Sequence, residues 1–481
     1  MKGAKKLGDP MTSLLRRKSV SLEELAPEHR LKATLSWWHL IPLGVGAIVG
    51  TGIYTLIGVG ANLAGPGVIL SFLIAGAVCA CAALAYAEVA TMIPVSGSAY
   101  TYSYVVLGEI VAWAVGWSLI LEYSLVVSAV AVGWAGYAVG FLGAVGVHLP
   151  AAVASGYWAG GLVNVPAILI IGVVAGLLML GTRESASINA VLVAAKIVAL
   201  AIFIAVAAPH FNVANFHPFM PYGFAGHDVG GVRHGVMAAA AIIFFAFYGF
   251  DAISTAAEET RRPGRDLPIG IIGSMIACAL IYVAVASVAV GAMPFGQFAH
   301  STEPLALILR NLGHGGVAIL IGAAAVIALP TVILAFLYGQ SRIFFVMARD
   351  GLLPRSLARV SARSGAPVRM TLVTAVVVAA LAGLAPLDQI ASLANAGTLA
   401  AFIAVSACML VLRRRAPDQP RIYRTPLAWV VGPAAIAGCL YLFWNLPEKT
   451  KLFFAVWNVI GLGCYFAWRR WGGAATESAS Q

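Results

Sequence analysis

The chain reads as an all-α integral membrane protein of twelve transmembrane helices: two inverted halves of five spans, then two further spans. Three observations predict this. Of 481 residues, 61% are hydrophobic and 10% charged, with a mean hydropathy of +0.91, a balance that excludes a soluble domain. Apolar windows of the roughly 20 residues needed to cross a bilayer recur twelve times. They fall near 37–62, 67–93, 109–142, 164–180, 187–208, 236–260, 267–292, 316–341, 370–385, 390–412, 427–444 and 452–468. Finally, glycine-interrupted segments open both the first and the sixth window.

Lysine and arginine set the orientation. Lys2, Lys5, Lys6, Arg16, Arg17, Lys18, Arg30 and Lys32 precede span one, and Arg183, Arg261, Arg262, Arg265, Arg349, Arg355, Arg359, Arg363 and Arg369 occupy alternate loops. Arg413 to Arg415, Arg421, Arg424, Arg469 and Arg470 continue the pattern, whereas the opposite loops hold only Arg233, Arg310, Lys449 and Lys451. The positive-inside rule therefore predicts cytoplasmic termini. It also accounts for the net charge of +11 through contact with anionic lipid headgroups, with no nucleic-acid partner required. No apolar h-region occurs in the first 35 residues, so no cleavable signal peptide is expected. Ser21-Leu22-Glu23-Glu24 has the pattern of a capping box opening a short helix to Arg30. The predicted organisation is a cytoplasmic segment (1–35), a first repeat (36–208), an external loop (209–235), a second repeat (236–412), two C-terminal spans (413–471) and a cytoplasmic tail (472–481).

Span one carries Gly44, Gly46, Gly50 and Gly52 within nine positions, and each Gly costs about 1 kcal/mol against Ala in a helix interior. Backbone groups freed in a bilayer must be buried in protein or line a cavity. The stretch is therefore half of a binding site, or a close-packing surface built on the Gly46/Gly50 pair. After span two, Pro and Gly in 94–97 stop the helix, and an amphipathic helix is expected to reach Gly108. Span three is long enough to require tilt and carries Glu122 among apolar residues. Lys196 of span five sits about nine residues in from Ser187, roughly 14 Å at 1.5 Å per residue, near the midplane. The loop before span six holds His210, His217, His227, Asp228 and His234, whose spacing matches no familiar metal site, so a solvated loop is expected. The six cysteines read as packing residues, with neither disulfide framework nor metal site.

Span six places Gly249 and Asp251 at mid-membrane depth among Phe245, Phe247, Tyr248 and Phe250. An odd number of spans per half means that the second half enters from the opposite face. Paired interrupted helices at corresponding positions then point to a transporter's midplane site. Beyond the first break, the N–H groups of Thr51 and Gly52 suit a carboxylate. Before the breaks, the carbonyls of Ile48, Phe245 and Tyr248 suit an ammonium, so the pair matches the zwitterion of an α-amino acid. The candidate substrate residues are Ile48, Val49, Gly50, Thr51, Gly52, Phe245, Ala246, Phe247, Tyr248 and Gly249. Ionisable groups within the membrane are functional candidates, which makes Lys196, Glu122 and Asp251 the candidates for proton coupling. Lys196 can exchange a proton, or form a permanent ion pair with one of the acids. Glu122 is a relay or a structural partner, and Asp251 equally serves to cap the second half of span six. Glu88 and Glu258 read as gate or capping residues.

The motifs Gly46-Ala47-Ile48-Val49-Gly50-Thr51-Gly52-Ile53-Tyr54, Pro94 to Tyr102, Gly249-Phe250-Asp251-Ala252-Ile253-Ser254-Thr255-Ala256-Ala257-Glu258-Glu259, Tyr338 to Arg342 and Arg349 to Pro354 together resemble the amino acid–polyamine–organocation transporter superfamily, specifically its bacterial cationic amino acid transporter branch. The resemblance runs from about Leu35 to Trp471. It implies the LeuT-type inverted-repeat fold with broken helices one and six, and proton symport of amino acids across the bacterial inner membrane without a cofactor. It also implies that Lys196 stands at the family's vacated sodium position, and it leaves room for a small single-span accessory subunit. Two features depart from the pattern: Ala328-Leu329-Pro330-Thr331 in span eight, where Pro330 is expected to bend the helix, and the long His-rich loop. No acidic residue falls in the predicted pocket, so neutral amino acids fit as well as cationic ones. An amino acid/amine exchanger on the same fold is the alternative. An enzyme is not predicted, because no G-x-S-x-G, H-E-x-x-H or intramembrane His pair occurs.

Overall fold

The computed structural model describes residues 16–17, 35–93, 97–179, 186–230, 232–255, 260–354 and 368–478. The helix expected after Ser21, the residues Pro94 to Ser96, Glu258 and Glu259, and Arg183, Arg355, Arg359 and Arg363 lie outside them. Among the described residues, eight helices are long and apolar enough to cross a bilayer. Four shorter apolar helices, Trp37–Ile48, Val165–Met179, Val236–Phe247 and Val368–Leu384, stand where spans one, four, six and nine are expected. The molecule is all-α, as composition and window length require.

Span one is a helix over Trp37–Ile48, an interruption at Val49 and Gly50, then short helices over Thr51–Tyr54 and Leu56–Ala64. Span two runs over Val68–Met92, and the amphipathic helix expected before Gly108 occupies Ser98–Val106. Span three is a single helix of 36 residues, Glu109–Ala144. Span eight is divided by Pro330 as its sequence suggests, into Gly315–Ala328 and Pro330–Arg349. The loop 209–235 departs from a plain solvated stretch. His227–Val229 pairs antiparallel with Val232–His234, with Gly230 at φ +61° supplying the left-handed turn that a tight hairpin needs.

Helix packing repeats under exchange of each span with the one five positions later. Span one packs on span seven, and span six on span two. Span five packs on spans one and eight, and span ten on spans six and three. Spans three and nine pair as spans eight and four do. This symmetry is what two inverted halves produce. The two broken helices consequently cross at their interruptions in the centre of the molecule. A Cβ on Gly52 would lie 2.6 Å from Ala246 Cβ, and one on Gly249 2.7 Å from the Ala47 carbonyl carbon.

Glu88 ends span two fully buried. Its carboxylate receives Nε and Nη2 of Arg413 at 2.6 Å each and the Thr425 N–H at 2.8 Å, with the Arg421 guanidinium 3.3 Å away. It therefore anchors span two to the segment joining spans ten and eleven. Bidentate geometry and a backbone donor offset the desolvation of the carboxylate.

Candidate functional site at the crossed helix breaks

The first break is built by two residues. Val49 (φ −73°, ψ 100°) and Gly50 (φ −151°, ψ −148°) leave the helical region, and the Val49 N–H closes the preceding turn on Val45 O at 2.8 Å. Thr51 and Gly52 open the next helix, so their N–H groups stand at its positive end. The glycines divide by role. Gly52 serves packing, because any side chain would strike Ala246. A Cβ on Gly50 would meet nothing closer than Val332 Cγ2 at 3.4 Å, an ordinary van der Waals contact, so a methyl group fits there. Close packing thus accounts for Gly52, whereas Gly50 lines the cavity between the breaks.

In span six the helix Val236–Ile243 tightens to a 3₁₀ turn over Phe244–Phe247, breaks at Tyr248 and Gly249 (φ +107°), and resumes over Phe250–Thr255. The value at Gly249 lies where side chains are strained, and the close approach of Ala47 excludes one in any case.

Between the breaks lies a cavity of about 10 Å³, lined from span one by Ala47, Ile48, Gly50, Thr51 and Gly52. Val126 and Val130 of span three, Phe245 and Tyr248 of span six, and Val332 and Phe336 of span eight close it. That volume holds about one water molecule, so a larger ligand requires the spans to separate. Six of the ten substrate residues expected from sequence line it: Ile48, Gly50, Thr51, Gly52, Phe245 and Tyr248. The other four do not. Val49 is buried beside the cavity, Ala246 and Gly249 pack against span one, and Phe247 points at Phe72 and Tyr282. The Ile48 carbonyl already accepts the Tyr282 hydroxyl at 2.8 Å.

Lys196 is 1% exposed. Its amine donates to Gly46 O at 3.0 Å and to Thr331 Oγ1 at 2.8 Å, tying span five to span one just before the break and to span eight just after Pro330. Above it, Tyr54 donates to Lys196 O at 3.0 Å and Tyr137 to Tyr54 O at 2.6 Å.

The two acids occupy a different cluster. Asp251 accepts the Gly249 N–H at 3.3 Å and the Tyr123 hydroxyl at 3.4 Å. The first of these contacts reaches back to the residue before the helix Phe250–Thr255. Glu122 lies within electrostatic reach of Asp251 and beside Thr398. Its Oε2 and the hydroxyls of Tyr86 and Tyr248 have no hydrogen-bond partner among the described residues.

Sequence reasoning missed Thr331, Val126, Val130, Val332, Phe336, Tyr282 and Asn395. Asn395 of span ten donates through Nδ2 to Ala241 O at 2.6 Å and Ile242 O at 3.0 Å. A buried amide mid-span was the available signal for Asn395, and the proline beside Thr331 was the signal there.

The amino acid permease family model matches residues 35–464. The chain is 46% identical to the branched-chain amino acid permease BcaP of Bacillus subtilis, over 95% of this chain and 98% of that protein. It is 41% identical to a methylthioribose transporter of the same organism, over 96% and 98%. The vacuolar cationic amino acid transporter 4 of Arabidopsis thaliana is 36% identical, over 85% of this chain and 68% of that one. A multi-span helical fold, crossed helix breaks and these relatives agree: the chain belongs to the amino acid permease family of the amino acid–polyamine–organocation superfamily, and is a membrane transporter rather than an enzyme.

Proposed function

We propose that the protein imports neutral aliphatic α-amino acids across the bacterial inner membrane by proton symport, with both termini cytoplasmic and access alternating across the crossed breaks. The observation that carries the coupling is Lys196, whose amine joins the first half of span one to spans five and eight within the membrane interior. An ammonium donates strongly to a carbonyl, and a neutral amine weakly. Gain and loss of one proton therefore tighten and loosen the hold on span one. The unpartnered Glu122 oxygen and tyrosine hydroxyls supply a polar cluster through which a proton can be relayed. The substrate's α-carboxylate rests on the N–H groups of Thr51 and Gly52, and its α-ammonium on carbonyls of the span-six break.

The substrate class follows from the cavity lining. Val126, Val130, Val332, Phe336 and Phe245 offer apolar surface, and no Asp or Glu lines the space. A cationic side chain would enter with its charge uncompensated, at a cost of several kcal/mol. The relatives named for branched-chain amino acids and for methylthioribose, both uncharged in the part that distinguishes them, support a neutral pocket.

The test is uptake of labelled leucine into proteoliposomes under an inward proton gradient, with arginine and methylthioribose as competitors and with and without sodium. Accumulation driven by the gradient, inhibited by valine but not arginine and abolished in Lys196→Ala while binding survives, is the expected result. Uptake only into vesicles preloaded with amino acid would replace symport by exchange.

A further inference from the structure

Each half of the molecule sends one nitrogen from its last span to the carbonyls that precede the break in its first span. In the first half, Lys196 of span five reaches Gly46 O. In the second, Asn395 of span ten reaches Ala241 O and Ile242 O. The two residues occupy equivalent places in the repeated packing, span five on span one and span ten on span six. We propose that Asn395 is a positioning residue, the non-titrating counterpart of Lys196, which holds the 3₁₀ turn of span six so that its carbonyls stay aimed at the substrate.

The local geometry supports this assignment. A 3₁₀ turn shifts backbone bonding from i−4 to i−3, so the junction before Phe244–Phe247 interrupts the regular helical bonding of the preceding carbonyls, with the Phe244 N–H directed to both Ala240 O and Ile242 O. The Asn395 amide meets two of these carbonyls, Ala241 O and Ile242 O. The amide is fully buried, and its Oδ1 has no hydrogen-bond partner among the described residues. A buried acceptor left unsatisfied is destabilising. An arrangement selected for stability alone would not retain an amide satisfied on one side only. Aliphatic residues would fill the same space without the orphaned oxygen.

The proposal rests on the substrate site given above, but not on proton coupling, so the test uses counterflow exchange of labelled leucine at equal pH on both sides. In Asn395→Ala the expected result is a KM raised about tenfold, the worth of two neutral hydrogen bonds, with maximal exchange rate and melting temperature close to wild type. Asn395→Asp supplies a second reading. A buried carboxyl facing carbonyl oxygens keeps its proton and its donor at neutral pH, so this variant should stay nearer wild type than Asn395→Ala at neutral pH and lose affinity as pH rises, a limb that wild type lacks. The titratable groups one turn further along span ten, around Thr398, are Glu122, Tyr123, Tyr86, Tyr248 and Asp251. They are common to all variants, so the limb is read as a difference from wild type. Lys196→Ala should show the opposite split, retaining exchange KM and losing response to the gradient. A lower melting temperature and maximal rate at unchanged KM in Asn395→Ala, or an Asp variant that follows Ala at every pH, would overturn the assignment. Exchange by wild type without gradient-driven uptake would refute symport and leave this test intact.

Discussion

Two neighbouring glycines of one motif should fail in opposite ways when given a methyl group. A Cβ on Gly52 would sit 2.6 Å from Ala246 Cβ and nearer still to its Cα, about 1 Å inside the normal carbon–carbon contact of roughly 3.5 Å. The obstacle is backbone, which cannot rotate away, so the crossed helices must part. Overpacking costs about 1–3 kcal/mol, and the gain of up to about 1 kcal/mol from replacing Gly in a helix offsets only part of it. Gly50 is the control. Its φ of −151° is accessible to any residue, and its nearest neighbour would be Val332 Cγ2 at 3.4 Å. Gly50→Ala should therefore fold with a wild-type melting temperature while occupying the cavity and raising the KM for leucine. Gly52→Ala should melt lower and express poorly. Thermal unfolding of the purified variants, followed by fluorescence, together with proteoliposome uptake, separates the outcomes. A Gly52→Ala protein as stable as wild type, or a Gly50→Ala protein with unchanged KM, would refute the division of roles.

Thr331→Val removes one of the two acceptors described for Lys196; gradient-driven uptake should fall while counterflow persists, and equal loss of both would make the contact structural. Glu88→Gln leaves the half-buried Arg413 guanidinium and the buried Arg421 guanidinium without their carboxylate, so the melting temperature should drop by the equivalent of up to about 3 kcal/mol. Retention of stability would show that the anchor is dispensable. Glu303, outside the spans, has its carboxyl raised above the ordinary 4.5 by burial, with the Arg310 guanidinium opposing. A raised folded-state value means that the fold binds the proton more tightly. The associated stability is full below about 4.5 and is lost as pH rises through the raised value. Melting temperature against pH should thus decline more steeply in wild type than in Glu303→Gln over that window, and parallel curves would contradict it.

The breaks and the lysine were legible because each violates a local rule: glycines cluster where a helix should be continuous, and a charge interrupts an apolar run. Their partners were not. Lys196 meets Thr331 at 135 positions' distance, Tyr282 meets Ile48 at 234, and Asn395 meets Ala241 at 154. Those residues are ordinary in type, and only helix packing brings them to the site. Ala246 and Phe247 are expected at the cavity because they adjoin the break in sequence. The 3₁₀ turn has three residues per turn in place of 3.6, and this rotation carries Phe247 round to Phe72 and Tyr282. Asp251 illustrates the converse limit. Its capping and coupling roles cannot be separated in sequence, and the described contacts, to the Gly249 N–H and the Tyr123 hydroxyl, select neither.

Spans one, two, six and seven pack as one group and spans three, four, eight and nine as another, with spans five and ten between them. The cavity is bounded by both groups, so enlarging it beyond one water molecule requires movement between them. Among the described residues, several polar contacts cross that seam. Tyr137 and Thr51 join spans one and three through carbonyls, and Tyr123 meets Asp251 of span six. Lys196 and Asn395 reach in from the intermediate spans. Neutral hydrogen bonds contribute about 0.5–1.5 kcal/mol each and charged ones about 1.5–3. The Lys196 contact, like the Tyr123–Asp251 one, is then a term that a change of one proton would alter without rebuilding any packing. Under the proposed mechanism, coupling needs no distant relay to span one. In that proposal the residue that would titrate is already bonded to the helix that would move.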